Sequence, residues 1–253
     1  MKFSKKLSVL AVASALSVPA LMVAAPAQAE LSGNIGVVSQ YVFRGIGPEN
    51  KGAAIQGGID YANDNGFYLG WWGSSLDYTY DATGSNPYSG QGFEHDIYGG
   101  FAGTAGGIDY SVGLLQYYYM NIDDSNLTEL VLGAGYGPFS AQAYYLLNDG
   151  SWGNAGDAYF TFNYGTALPA NFTLDASLGY YTYNDDDAGN TEKNWTTATT
   201  ESSAFRHLNL TLSHPIGDTG ADMGITYIIA GDDRAGDSKD DAMTMNISYA
   251  FGL

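Results

Sequence analysis

The sequence predicts an all-β fold: a transmembrane, antiparallel, up-and-down β-barrel of about twelve strands that follows a cleaved signal peptide. Three observations predict it. The chain ends in a long alternating strand, it begins with a secretory leader, and its predicted strands are joined by connections that alternate between short and long.

The last twelve residues, AMTMNISYAFGL, form the clearest strand. Met243, Met245 and Ile247 alternate with Thr244 and Asn246, which gives one apolar and one polar face at the two-residue period of a β-strand. A long strand at the end of a chain needs a partner along both of its edges. In an outer-membrane barrel, the last strand pairs with the first.

The start of the chain is typical of a secretory signal peptide. Lys2, Lys5 and Lys6 precede a mostly apolar run, and Ala27-Gln28-Ala29 fits an A-x-A cleavage site. We therefore expect a signal peptide over 1–29 and an outer-membrane β-barrel over 30–253.

Composition excludes several classes of protein. Without the leader, six basic residues stand against 27 acidic ones, a net charge near −21, which excludes the basic footprint of a nucleic-acid-binding protein. The chain has no cysteine, so it forms no disulfide or thiolate site. No later run approaches the roughly 20 apolar residues of a spanning helix, so a membrane-embedded chain must be a closed barrel.

Alternation predicts the first six strands. In residues 31–44, Ile35, Val37 and Tyr41 oppose Asn34 and Gln40. The same period predicts strands at 53–61, 67–76, 93–101, 108–120 and about 129–136.

The second half continues the pattern. Strands are predicted at 139–148, 158–164, 172–183, 205–213, about 222–229 and 242–253. In the tenth strand, Leu208 and Leu210 oppose His207 and Asn209.

The connections separate two ends of the predicted barrel. Those after even-numbered strands are short: ANDNG, GTAGG, GP, ALPAN and PIGDTG. Those after odd-numbered strands are mostly longer and more acidic. Bacterial outer-membrane barrels have short periplasmic turns and longer extracellular loops. The alternative is a soluble β-barrel, but twelve amphipathic strands would enclose a lumen too wide for side chains to fill.

Five segments of the chain resemble the TorF-type porin family of proteobacteria, also called Gcw_chp. The resemblance is carried by VSQYVFRG, QGGIDY, GFYLGWWGSS, EHDIYGGF and VGLLQYYY, which begin at Val38, Gln56, Gly66, Glu94 and Val112. It covers essentially the whole mature chain. It implies a Gram-negative outer-membrane protein with a transport role and no known substrate.

Acidic side chains dominate the predicted inward faces. We expect one set of residues to line the lumen: Arg44, Asp60, Glu94, Asp96, Asp109, Glu129, Asp175, His207 and Asp222. Rings of acids attract cations, so these residues favour a cation-selective pore; the alternative is that they are hydrated or paired acids with no transport role. We expect Arg44, placed at a strand end, to be a structural partner for the acids.

Tyrosines are expected on both faces of the barrel. Inward ones should fill the lumen and could also stack on sugars: Tyr68, Tyr98, Tyr117, Tyr144, Tyr159 and Tyr181. Outward aromatics near strand ends should form interfacial girdles: Tyr41, Trp71, Tyr136, Tyr164 and Tyr249. Arg206 falls on the lipid-facing parity, near the outer interface.

The function that these observations favour is a narrow, cation-favouring porin for small hydrophilic solutes. Its partners would be outer-membrane lipid and lipopolysaccharide; the pattern leaves the oligomeric state open. A non-conducting structural or surface-interaction barrel is the alternative. An outer-membrane hydrolase is weaker, because His207 is the one histidine placed to act as a base and no local signature accompanies it.

We expect no cofactor and no metal site. The acidic runs Asp185-Asp186-Asp187 and Asp232-Asp233 with Asp240-Asp241 could bind divalent cations through carboxylate oxygens. Neither run matches an EF-hand, and solvated loops are the favoured interpretation of both.

Overall fold

A computed structural model describes residues 30–47, 50–79, 91–184 and 199–253. The predicted signal peptide lies outside these residues. The described part contains one 3-10 turn, Pro169–Asn171, and twelve β-strands. The strands are β1 (Glu30–Val38), β2 (Ala54–Ala62), β3 (Phe67–Leu76), β4 (Gly92–Ala105), β5 (Ile108–Met120), β6 (Thr128–Tyr136), β7 (Phe139–Leu146), β8 (Ala158–Ala167), β9 (Thr173–Thr182), β10 (Ser203–Pro215), β11 (Ala221–Ala230) and β12 (Ala242–Gly252).

The strands close into one barrel. Each pairs antiparallel with its neighbour in the chain, and β1 pairs with β12 to complete the circle. In that seam Ile35 lies opposite Tyr249, and the Leu253 backbone N–H donates to the Leu31 carbonyl at 2.8 Å. The predicted twelve-stranded, up-and-down antiparallel barrel is confirmed.

The outer surface of the barrel is apolar. In β12, Met243 is 67% exposed and Ile247 55%, whereas Thr244 between them is 3% exposed. The same alternation runs around the barrel and leaves outward-facing Leu, Ile, Val, Phe and Tyr side chains uncovered. A continuous apolar outer band is the surface that lipid covers in outer-membrane barrels.

The two ends of the barrel differ in their connections. Short turns follow β2, β4, β6, β8 and β10, and we call this the short-turn end. The connections after the odd-numbered strands lie at the opposite, long-loop end and are mostly longer. No helix in the described residues is long and apolar enough to cross a membrane.

The first strand is shorter than predicted, and this corrects one girdle residue. Strand β1 ends at Val38 rather than at Arg44, and residues 39–47 turn into the barrel. Tyr41 is therefore 2% exposed, and its hydroxyl donates to Glu94 Oε2 at 2.7 Å. The prediction that Tyr41 lies in a lipid-facing girdle was wrong. Trp71, Tyr136, Tyr164 and Tyr249 do face outward.

A β-bulge corrects the prediction for Arg206. Phe205 lies opposite Tyr180 and His207 lies opposite Gly179, so Arg206 is an extra residue in β10. A bulge breaks the alternation of faces. Arg206 is 6% exposed and lies inside, where it donates to the backbone carbonyls of Arg44 (3.3 Å) and Asp232 (2.9 Å).

The loop between β11 and β12 contains an aspartate whose protonation should be measurable. Asp233 accepts hydrogen bonds from the N–H groups of Ala235 (2.9 Å) and Asp237 (3.0 Å) and pairs with Lys239 Nζ at 2.5 Å. Partial burial acts to raise the pKa of Asp233, but Lys239 and the two N–H groups outweigh it and hold this pKa below its ordinary value.

We expect this loop to lose order in acid. The pKa of Asp233 is lower in the folded loop than in the unfolded chain. Its contribution to the stability of the loop is therefore complete above about pH 4 and is lost as pH falls through the folded pKa. Amide exchange across residues 231–241, corrected for its intrinsic pH dependence, should rise in that window. In Asp233→Asn it should be high already at pH 7, and in the control Asp218→Asn, in a short turn, it should match wild type. A flat wild-type profile would contradict this.

Candidate functional site

A continuous layer of buried side chains crosses the barrel interior. Every strand contributes at least one inward side chain that is no more than 8% exposed, and we call this set the closed layer. One such residue from each strand, in order, is Val38, Ala54, Ser74, Asp96, Tyr117, Glu129, Tyr144, Tyr159, Tyr181, His207, Thr226 and Thr244. At these positions the inward side chains are shielded from solvent.

A tight turn following β1 reaches into this layer. The backbones of Phe43 and Ile46 exchange two hydrogen bonds, of 2.7 and 2.8 Å, and Arg44 and Gly45 lie at the tip. Both tip residues have positive φ, 47° and 79°, as in the type I′ turns that favour glycine. A Cβ on Gly45 would lie 2.7 Å from the Arg206 carbonyl oxygen. We call residues 43–46 the inserted turn.

The inserted turn places the guanidinium of Arg44 against a carboxylate in the closed layer. Nη1 and Nη2 of Arg44 donate to Oε1 and Oε2 of Glu129 at 2.8 and 2.7 Å, a bidentate pair. The same nitrogens donate to the hydroxyls of Tyr181 (2.5 Å) and Tyr117 (3.1 Å). The side chains of Arg44 and Glu129 are each 2% exposed. The expected pairing of Arg44 with an inward acid is present in the structure.

Aromatic rings surround the same guanidinium. Its Cζ lies 4.4 Å from the Tyr159 ring centroid, 5.0 Å from that of Tyr144 and 5.7 Å from that of Tyr181. These distances permit cation–π attraction. We call Glu129, Tyr117, Tyr144, Tyr159 and Tyr181 the Arg44 cage.

The sheet register assembles the cage. Its members come from five consecutive strands, β5 to β9. Tyr144 pairs with Tyr159, and Tyr159 with Tyr181, across neighbouring strands. Inward positions at one height of adjacent strands are neighbours in space, so the cage follows from the register. The predicted role of these tyrosines in filling the lumen agrees with their burial in one cluster with Tyr68 and Tyr98.

Two further carboxylates lie in the closed layer beside the cage. Glu94 is 1% and Asp96 0% exposed. Glu94 accepts the Tyr41 hydroxyl, whereas neither oxygen of Asp96 has a hydrogen-bond donor within the described chain. Uncompensated buried carboxylate charge is costly, so this part of the layer is not fully satisfied by the polar groups around it.

The half of the barrel toward the short-turn end carries acidic side chains that are less buried than those of the closed layer. Asp60, Asp109, Asp175 and Asp222 are half-buried on its inner wall. Asp60 accepts a hydrogen bond from Tyr98, and Asp109 accepts one from Thr104 Oγ1 at 2.6 Å. None of the described lysines and arginines lies in this half. We call this half of the lumen the acidic vestibule.

His207, the histidine predicted to face inward, lies within the closed layer. It is 3% exposed, and its Nε2 is 2.6 Å from the Tyr159 hydroxyl oxygen. Burial in this layer separates His207 from solvent. A hydrolytic base needs access to water and to a nucleophile.

All nine predicted lumen residues lie on the inner side of the barrel, but the structure divides them into groups. Arg44 and Glu129 meet in the cage, and His207 contacts the cage residue Tyr159. Glu94 and Asp96 lie together beside the cage, and four aspartates line the vestibule. Sequence reasoning missed Tyr41, Phe43, Arg206 and Trp152 as interior residues. Gly45 and Gly47 indicate the loop that was expected after Arg44, but not that this segment enters the lumen.

The acidic loops give no indication of a metal centre in the residues that the structure describes. No group of three or more His, Cys, Asp or Glu there could hold a metal ion. Asp232 accepts the Ser238 hydroxyl, and Asp241 accepts the Tyr227 hydroxyl and the Ala230 N–H. The run at 185–187 lies outside the described residues.

The closed barrel, apolar outer band and polar interior define an outer-membrane β-barrel of the porin-like fold class. The fold is similar to that of the COG4313 outer membrane channel from Pseudomonas putida F1, with a TM-score of 0.53, 9% identity, and coverage of 93% of this chain and 99% of that chain. It is also similar to the KdgM porin, with a TM-score of 0.51, 11% identity, and coverage of 87% and 99%. At such identities the likeness concerns the fold.

The chain belongs to the Gcw_chp family, described as bacterial protein of unknown function, whose model matches residues 23–251. The family expected from the sequence is therefore confirmed under that description. No functionally curated protein sequence matches the chain.

Proposed function

We propose that the protein is a narrow outer-membrane channel for small hydrophilic solutes, with a preference for cations. The observation that carries this proposal is the contrast between the two surfaces of the sheet. The outer surface is an apolar band, whereas the lumen toward the short-turn end carries four aspartates and no described lysine or arginine. Fixed negative charge in a narrow lumen raises the local concentration of cations.

In this proposal the short-turn end faces the periplasm and the long-loop end faces outward, in contact with lipopolysaccharide, as in bacterial barrels generally. The protein should fractionate with the outer membrane and migrate differently on gels before and after boiling. Recovery of the protein from the periplasm as a monomer that needs no detergent to stay in solution would contradict the proposal.

In this proposal the structure represents a closed state of the channel, because the closed layer crosses the lumen. The Arg44 side chain reaches from the inserted turn to the cage on β5 to β9, and residues 39–42 join that turn to β1. Barrel lumens plugged by loops occur among outer-membrane proteins. We propose that solutes pass when the inserted turn leaves the cage.

Replacing Asp109, Asp175 and Asp222 together with asparagine should lower the preference of the open channel for cations. The three side chains line the vestibule, so their replacement leaves the closed layer and the lipid-facing band intact. The measurement is the reversal potential under a KCl gradient in a planar bilayer, in a channel opened by Arg44→Ala. The preference should also weaken at 1 M salt, where the Debye length is about 3 Å.

A control variant changes three acids outside the lumen: Asp64→Asn, Asp123→Asn and Asp218→Asn, in turns and loops. It should keep the selectivity of its parent. Equal loss of selectivity in both triple variants would assign the preference to overall surface charge, and anion selectivity of the parent would overturn the proposed sign.

A second candidate function is a permanently closed structural barrel, and the closed layer itself favours it. Its side chains are as buried as those of a protein core, and it contains the buried ion pair of Arg44 with Glu129. The two candidates differ in one result. A structural barrel stays non-conducting when the Arg44 side chain is removed and the protein remains folded.

A further inference from the structure

The Arg44 cage has the composition of a guanidinium-binding site, and its occupant belongs to the same chain. We propose that Arg44 is a built-in ligand of this site and that solutes bearing a guanidinium group compete with it for the cage. This inference rests on the proposed channel function and names the class of solute that the channel recognises.

The polar contacts of the cage match a planar guanidinium group. Glu129 accepts two parallel N–H bonds, at 2.7 and 2.8 Å, and the Tyr117 and Tyr181 hydroxyls accept one further bond each. The Tyr117 hydroxyl also donates to Glu129 Oε2 at 2.9 Å, which fixes the carboxylate in place. A bidentate carboxylate with lateral acceptors favours a fork-shaped cation over the point charge of an ammonium group.

The aromatic contacts support the same class of ligand. The Tyr159 and Tyr144 ring centroids lie 4.4 and 5.0 Å from Arg44 Cζ. Guanidinium groups stack on aromatic faces and are weakly hydrated, so they enter such a site at a lower desolvation cost than ammonium groups do. All five members of the cage lie on barrel strands, so the site does not depend on the inserted turn for its construction.

Arg44, in contrast, is an imperfect occupant. Its backbone has a φ of 47°, a left-handed conformation that non-glycine residues seldom adopt. Its Nε atom is buried without a hydrogen-bond partner among the described residues. Both features weaken the binding of the cage to its own arginine relative to an untethered guanidinium, which carries no backbone strain and can turn within the site. Competition by a solute is therefore feasible.

The path to the cage carries complementary charge. The acidic vestibule leads from the short-turn end toward the closed layer, and its four aspartates attract any cation. The vestibule would concentrate cations in general, and the cage would select among them.

The test is binding to the detergent-solubilised full-length Arg44→Ala variant by calorimetry, with 1-butylguanidinium and 1-butylammonium as probes. We expect one butylguanidinium per barrel, bound at least about tenfold tighter than butylammonium. Arg44→Ala/Glu129→Gln should lose about tenfold or more of that affinity, whereas Arg44→Ala/Glu201→Gln, changed at an exposed acid outside the cage, should retain it. Equal affinity for the two probes in folded Arg44→Ala would overturn the inference.

A second measurement uses the otherwise native chain, in case Arg44→Ala does not fold. The protein has no cysteine, so Val42→Cys supplies a single thiol at a position that is 7% exposed next to the inserted turn. Butylguanidinium should speed labelling of this thiol by a small methanethiosulfonate several-fold, and butylammonium should not. Equal rates with both probes would count against competition.

These measurements separate the inference from the proposed function. Calorimetry needs no conductance, so selective binding by a barrel that never conducts would preserve the guanidinium site and refute the channel. Conductance by Arg44→Ala without selective binding would preserve the channel and refute the site.

Discussion

Removing the Arg44 side chain should open the barrel to ions. Wild type should show no single-channel current steps in a planar bilayer, whereas Arg44→Ala should show them. Arg44 joins the inserted turn to the cage through four hydrogen bonds and several aromatic contacts. With alanine at position 44, the turn loses these contacts while keeping its unfavourable backbone conformation. Planar-bilayer recordings of wild type and Arg44→Ala at equal protein insertion provide the measurement.

Two further variants make this result specific. Gly45→Ala should also open the barrel, because a Cβ there would lie 2.7 Å from the Arg206 carbonyl oxygen and because φ is 79°. Arg234→Ala removes another arginine, one that pairs with Asp157 at the long-loop end, and should stay closed. If Arg44→Ala remains closed while its gel-shift behaviour shows a folded barrel, the structural candidate replaces the channel.

Replacing Glu129 with glutamine should lower the free energy of unfolding by about 3–5 kcal/mol. The substitution keeps the size of the side chain but leaves the Arg44 guanidinium as an uncompensated charge in a layer where both side chains are 2% exposed. Urea titration in lipid vesicles, followed by the fraction of the heat-modifiable gel band, measures the change.

The double variant Arg44→Ala/Glu129→Gln is the matched control for this effect. It leaves neither charge behind, so it should recover a large part of the stability lost in Glu129→Gln. Glu201→Gln, at an exposed position, should change stability by no more than about 0.5 kcal/mol. A similar small change in Glu129→Gln would show that the ion pair lies in contact with water and that the layer is not closed.

The barrel could be predicted from the sequence because its strands expose one face to lipid and the other to the lumen. That arrangement imposes a two-residue period, and the period is visible in nearly every strand. The ends of the strands were predicted less accurately. Strand β4 continues to Ala105, four residues beyond the predicted end, because Ala102, Gly103 and Thr104 carry little hydrophobic contrast.

The inserted turn escaped prediction for a different reason. Tyr41 and Phe43 continue the apolar alternation of β1, so residues 39–44 imitate a strand although they pack inside the barrel. The bulge at Arg206 adds one residue to β10. Arg206 therefore faces the lumen rather than the lipid, and nothing in the residue types around it indicates the bulge. The pairing of Arg44 with an inward acid was expected, but only the three-dimensional register shows which acid accepts it.

The seam between β1 and β12 has a consequence for the order of folding. Every other strand pairing joins neighbours in the chain, whereas the contact between the Met245 N–H and Ser39 Oγ at this seam links residues 206 positions apart. Contacts at such separation carry the largest loop-closure entropy and form late. Because residues 39–47 directly follow β1, Arg44 reaches Glu129 only once β1 is near its place, so the newly assembled barrel should remain leaky until its first strand meets its last.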